Sequence, residues 1–137
     1  KWYASLLTNT QLLSAVGRSL EIAAYTALAA TALGTLAALV LTRIKRFKGK
    51  TLFAGVVTAP LVMPEVITGL SLLLFFVALT QLIGWPVQRG VSTIWIAHTT
   101  FATAYVAVIV AARLREIDKS MEEAAMDLGA KPWQPAL

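Results

Sequence analysis

One carboxylate stands where carboxylates are rarely found. Glu65 lies within "APLVMPEVITGLS", near the midpoint of a long apolar run, with Pro60 and Pro64 before it and Gly69 after it. An acid facing hydrocarbon costs several kcal/mol, about 2.5–3.5 by insertion scales, and intramembrane acids generally mark ion or substrate pathways. Its ionised form suits a positively charged cargo. The competing reading is a structural acid, hydrogen-bonded to a neighbouring helix or protonated by burial. His98, one turn into a later apolar run beside Trp95, reads as a structural imidazole bonded to a neighbour or to interfacial water. The chain carries no HExxH, GxSxG, Walker A or glycine-rich phosphate loop, so no spacing points to a catalytic centre. Cysteine is absent, which excludes disulfides, thiolate zinc sites and cysteine nucleophiles, and no metal site is expected.

The second stretch with chemical content is "SMEEAAMDLGAKP", residues 120–132. Leu114, Ile117, Met121, Ala124 or Ala125, and Leu128 recur at steps of three and four, opposite Glu116, Lys119, Glu122, Glu123 and Asp127. Ser120 with Glu123 fits a capping box, so a fresh helix is expected to start at Met121. Gly129 is placed as a left-handed C-terminal cap, and Pro132 resists continuation. A helix of about two turns is too short to stand alone in water and needs a partner surface. Its polar face is more acidic than basic, which suits a protein dock better than an anionic membrane leaflet.

The elements that hold these residues are apolar. Hydrophobic residues make up 58% of the 137 residues and charged ones 14%; mean hydropathy is +0.72, which places the chain in a bilayer and predicts an all-α, polytopic bundle. Three runs are long enough to cross roughly 30 Å of hydrocarbon: residues 22–42, 52–79 and 93–112. The prolines in the second run predict a kinked helix lining a cavity, because a broken helix survives in a membrane only where protein or water satisfies the freed backbone groups. Ala30, Gly34, Ala38 and Thr42 in the first run, and Thr99, Thr103, Ala107 and Ala111 in the third, recur every four residues and predict close helix packing.

Charge sets the orientation. The net charge of +5 is carried by short basic segments beside apolar runs, a distribution that fits membrane topology and not a nucleic-acid-binding face. Arg43, Lys45, Arg46, Lys48 and Lys50 follow the first run, and Arg113, Arg115, Lys119 and Lys131 follow the third; only Arg89 lies between the second and third. By the positive-inside rule the basic segments face the cytoplasm and the Arg89 loop faces outward. Residues 1–21 then lie outside, where Trp2, Tyr3, Leu6, Leu13, Val16 and Leu20 predict an interfacial segment. An outer start at Lys1 leads us to expect at least one upstream span.

These residues carry a resemblance. "EEAAMDLGA" resembles the EAA loop of inner-membrane permease subunits of binding-protein-dependent ABC importers, with Glu123, Ala124, Ala125 and Gly129 on the motif and Asp127 and Leu128 on its extended form. "WYASLL", "AVGRSLEIA", "APLVMPEVITGLSLLLFFVAL" and the run from Ala97 to Ala130 are similar to polyamine permeases, most closely putrescine-type subunits. The resemblance implies a type I ABC importer permease fold, with residues 120–129 as the coupling helix seated in a cytoplasmic ATP-binding subunit. It further implies a second permease subunit, an external substrate-binding protein, and ATP and Mg on the ATP-binding partner, with no cofactor and no catalysis in this chain. It associates the acid after the second-span proline, Glu65 here, with recognition of a cationic substrate. In the family more spans follow the EAA loop, so this chain, which ends at "WQPAL", is expected to be the middle of a subunit of about six spans in a bacterial inner membrane. Two other readings stay open on the residues alone. One is an ion-coupled secondary transporter or channel using Glu65; the other is an intramembrane enzyme using Glu65 and His98.

Overall fold

The computed structural model describes residues 8–44, 46–117, 124 and 126–129. Regular structure among them is helical throughout, in four main helices: α1 (Thr10–Arg43), α2 (Lys50–Val62), α3 (Glu65–Ile83) and α4 (Val91–Glu116). Of these, α1, α3 and α4 are long and apolar enough to cross a membrane.

Helix α1 differs from expectation in length. Residues 10–21, read as part of a separate interfacial segment, continue without a break into the apolar run, giving 34 residues, about 51 Å at 1.5 Å per residue. The apolar pattern marks where a helix enters hydrocarbon and not where it starts. The start is set by Asn9, whose side chain accepts from the Gln11 and Leu12 amides at 3.1 and 3.2 Å, satisfying two of the orphan donors of a first turn. Trp2, Tyr3 and Leu6 of the outer segment lie outside the described residues.

The spine of the molecule is the contact of α1 with α4, far more extensive than any other between helices. Ala30, Gly34, Ala37 and Ala38 are buried on α1, and Thr93, Thr99, Ala104, Ala107 and Ala111 on α4. Three residues of each small-residue stripe are therefore buried, with Ala37, Thr93 and Ala104 added to them, while Thr42 and Thr103 are half-buried. A Cβ at Gly34 would stand 2.6 Å from Val106 Cβ and 3.0 Å from the Ala107 amide nitrogen, so the two backbones approach closer than any other side chain allows. Ile22 and Thr26 border the same cavity as Ile94 and His98, while Gly34 meets Val106 and Ala107. The pairing rises together along both chains, so α1 and α4 run parallel, as spans with the same cytoplasmic end must.

The second apolar run, expected as one kinked span over 52–79, is divided into α2 and α3. Pro64 disfavours helical geometry at the residue before it; Met63 is extended at φ −80°, ψ 139°, and α3 restarts at Glu65. The two pieces still trace one path antiparallel to α4. Ala54, Val57 and Thr58 of α2 share a cavity with Ala107, Ala111 and Arg115, whereas Leu72 and Phe76 of α3 share one with Gly90 and Thr93. In α3 only Phe76 is buried, against Trp85 of the outer loop in an edge-on ring contact at 6.4 Å. Thr80 fastens that loop by donating to Phe76 O and Pro86 O at 2.8 and 3.0 Å.

Gly34 carries the sharpest test of this packing. Gly34→Ala is expected to destabilise the assembled protein by about 1–3 kcal/mol through overpacking. Gly55→Ala, where an added Cβ meets nothing within 4 Å, is expected to be neutral or mildly stabilising. Thermal denaturation of the detergent-solubilised assembly measures both; equal behaviour of the two variants contradicts the close approach.

Candidate functional site

The break between α2 and α3 presents Glu65. A helix that restarts within an apolar run exposes first-turn amides with no partner one turn back, and the positive end of its dipole favours a carboxylate there. Pro64 serves as the N-cap without a side-chain hydrogen bond, its carbonyl accepting from Ile67 and Thr68 at 2.9 and 3.1 Å. Glu65, in the first turn, is exposed on the surface of this chain.

Glu65 does not stand alone. It lines an open pocket of about 290 Å³ with Thr68, Gly69 and Leu72 of α3 and Ala97, His98 and Phe101 of α4. Thus the two polar residues singled out from the sequence meet at one pocket, although 33 positions separate them in the chain. Glu65 is opposite Phe101, near the middle of the 26-residue α4, so the acid keeps its central position despite the helix break. His98 sits on the ridge between this pocket and a second of about 660 Å³, bordered by Ser19, Ala23, Thr26, Ile94 and Ala102. His98 thus lines both pockets. Phe101 was not singled out from the sequence. Its signal was weak, an aromatic one turn after the histidine in a run where aromatics are common. Its ring meets Tyr105 edge-on at 5.1 Å and 64°, an i,i+4 pair that holds it in place.

At its C-terminal end, α4 stops at Glu116 and Ile117 turns extended at φ −68°, ψ 122°, so the tail is not a continuation of the span. Within the tail, Ala124, Met126 and Asp127 are helical and Leu128 and Gly129 form a turn. The Leu128 amide donates to Ala124 O at 3.1 Å and the Gly129 amide to Met126 O at 2.9 Å. Gly129 has φ +92°, the left-handed stop its position in the sequence implies. Leu128 is 91% exposed and Met126 39%, an apolar surface that nothing in the described chain covers. Glu123 and Ala125, the other two residues of the EAA reading, lie outside the described residues, as do Ser120, Met121 and Glu122.

A broken helix with a central acid, beside a tail that ends in a left-handed glycine, invites comparison with known transport proteins. Residues 30–135 match the family model described as binding-protein-dependent transport system inner membrane component. The chain belongs to that family. It is 64% identical over 132 residues to the putrescine transport system permease protein PotI of Escherichia coli K12, covering 96% of this chain and 47% of that protein. It is 38% identical over 133 residues to the spermidine/putrescine transport system permease protein PotC of the same organism, covering 97% and 48%. A probable molybdenum ABC transporter permease protein of Haloferax volcanii is 31% identical over 128 residues, covering 92% and 47%. The chain thus spans about half the length of the curated relatives it matches. No solved structure matches it significantly. The family is one of membrane transport components, and the three crossing helices agree with an inner-membrane location.

Because the chain has no cysteine, the pocket can be probed one thiol at a time. Cysteines placed at Thr68 and Ala97, which line it, are expected to react in the assembled protein with a membrane-impermeant cationic methanethiosulfonate. Cysteines at Ala104 and Ala107, each 1% exposed, are expected to stay unmodified. Inert thiols at both pocket positions would show that the groove around Glu65 is closed to water.

Proposed function

We propose that this chain is part of a permease subunit of an ATP-driven importer for polyamines of the putrescine class, and that Glu65 meets the cationic substrate in the translocation route. The observation that carries the reading is the pocket at the α2–α3 break, where a carboxylate on a helix start faces a cavity at mid-span. Two relatives at 64% and 38% identity are named for putrescine or for spermidine and putrescine, and both are matched across nearly the whole chain. The relative named for molybdenum indicates that the frame itself is not tied to one cargo. Preference then rests on side chains such as Glu65, in keeping with the rule that function lives in sites carried by a fold.

In this reading the chain hydrolyses nothing. ATP and Mg belong to a separate cytoplasmic subunit, a second permease subunit completes the route, and an external binding protein delivers the polyamine. Residues Glu123, Ala124, Ala125, Asp127, Leu128 and Gly129 form the coupling helix that seats in the ATP-binding subunit. The exposed Leu128 and Met126 supply an apolar contact for it, and Gly129 supplies a stop that no other residue adopts cheaply.

Two measurements on the complete transporter test the two ends. Glu65→Gln removes the charge while keeping the shape, and a charge-assisted hydrogen bond worth about 1.5–3 kcal/mol puts the expected loss of radiolabelled putrescine and spermidine uptake at roughly tenfold or more; unchanged uptake of both would reduce Glu65 to a structural acid. Gly129→Asp is expected to abolish ATP-coupled uptake in vesicles with membrane insertion intact. Normal uptake by that variant would refute the coupling role.

A further inference from the structure

A diamine brings two ammonium groups, yet among the residues lining the pocket at the helix break only Glu65 carries a negative charge. We propose that the second ammonium is received by His98 and Phe101 on the opposite wall, so that α3 and α4 together select a cation with two charged ends over one with a single end. The inference rests on the reading of Glu65 given above and adds the residues that complete its site.

The chemistry of the two walls is complementary. On α3, Glu65 supplies the carboxylate, and Thr68 donates its hydroxyl to Pro64 O at 3.4 Å, which leaves its oxygen lone pairs toward the pocket. On α4, the His98 imidazole brings a ring nitrogen able to accept a hydrogen bond, and Phe101 offers a ring face. A cation over an aromatic face is attracted by the ring's quadrupole without requiring a second buried charge. That matters at mid-membrane, where a second acid would raise the desolvation cost of the empty pocket. Leu72, which lines the same pocket, suits the methylene chain. The nitrogens of an extended four-carbon diamine lie roughly 6 Å apart by standard bond lengths, and a volume of about 290 Å³ accommodates such a molecule lying across the groove. Phe101 is fixed for the role by Tyr105, whose ring meets it edge-on one turn along the same helix.

The test uses the assembled transporter carrying a single thiol at Ala97, a pocket position, and reads the concentration at which an amine protects that thiol from a cationic methanethiosulfonate. The probes are putrescine and 1-aminobutane, which share the chain length and differ in one ammonium. In the parent, putrescine is expected to protect at a concentration about tenfold lower, the scale of a desolvated cation–π contact. His98→Leu and Phe101→Leu are each expected to bring the two amines to within about twofold, whereas His98→Gln and Phe101→Tyr, which keep an acceptor and a ring, are expected to preserve the preference. A preference that survives both leucine variants, or protection by both amines weakened in equal proportion, overturns the inference, as does a parent with no preference. Glu65→Gln in the same background separates the two levels. If that variant leaves protection by both amines unchanged, the pathway reading of Glu65 fails; if it abolishes protection while the leucine variants keep the diamine preference, only the present inference fails. Copurification of the ATP-binding subunit with each variant reports that the assembly is intact.

Discussion

Lipid gives helices no hydrophobic reason to associate, so a membrane fold depends on how closely its backbones can come together. In this chain α1 and α4 come close at Gly34, where the missing side chain lets α1 settle against Val106 and Ala107 of α4. Ala30, Ala37 and Ala38 on one side and Ala104, Ala107 and Ala111 on the other extend that seam over more than two turns. With so little volume at the interface, dispersion between backbones does the work that large apolar side chains do in a soluble core. The large side chains are displaced outward, where Leu28, Leu33, Leu36 and Ile109 are exposed to whatever apolar surroundings the bilayer and neighbouring chains provide.

Everything else is arranged on that pair. Helix α2 packs on the C-terminal half of α4 and α3 on the N-terminal half, with the break at Met63–Pro64 between them. A continuous helix would bury its backbone polar groups and present only side chains. The break instead brings a helix start, with its unpaired amides and positive dipole end, to the middle of the path. Discontinuous helices place such ends at substrate sites near the midplane of other transporters, and the physical reason is general: the backbone itself becomes part of a polar site without adding charge. Glu65 sits in the first turn of that restart.

Most of the frame was legible in the sequence because membranes leave few alternatives. Hydropathy marked three apolar runs, and the four-residue stripes on α1 and α4 marked the seam that Gly34 closes. Two features were not legible from pattern alone. Apolar periodicity could not locate the start of α1, since that helix extends past the hydrophobic boundary and is fixed by the Asn9 cap. Nor could it decide whether Pro64 bends a span or divides it; that depends on Met63 adopting an extended conformation while α2 and α3 both keep contact with α4. The association of Glu65 with His98 and Phe101 is a tertiary fact, set by the antiparallel register of α3 on α4, and no local spacing encodes it. The tail is the opposite case. Its glycine stop is a local property of the chain, and φ +92° at Gly129 follows from residue type and position.

Helix α4 joins the two ends of the molecule. Its 26 residues contain no glycine and no proline, so nothing in it yields easily to bending. Its outer half forms one wall of the Glu65 pocket, and its cytoplasmic end leads through the extended Ile117 toward the Gly129 turn. Under the proposed coupling, force applied at the tail therefore reaches the pocket wall as movement of a rod about 39 Å long. Helix α1 follows, because its contact with α4 is far more extensive than any other between helices. Helix α3 need not follow, because it makes much less contact with α4 than α1 does and buries only Phe76. The pocket lies between the locked pair and the loosely held helix, which is where relative movement changes its width.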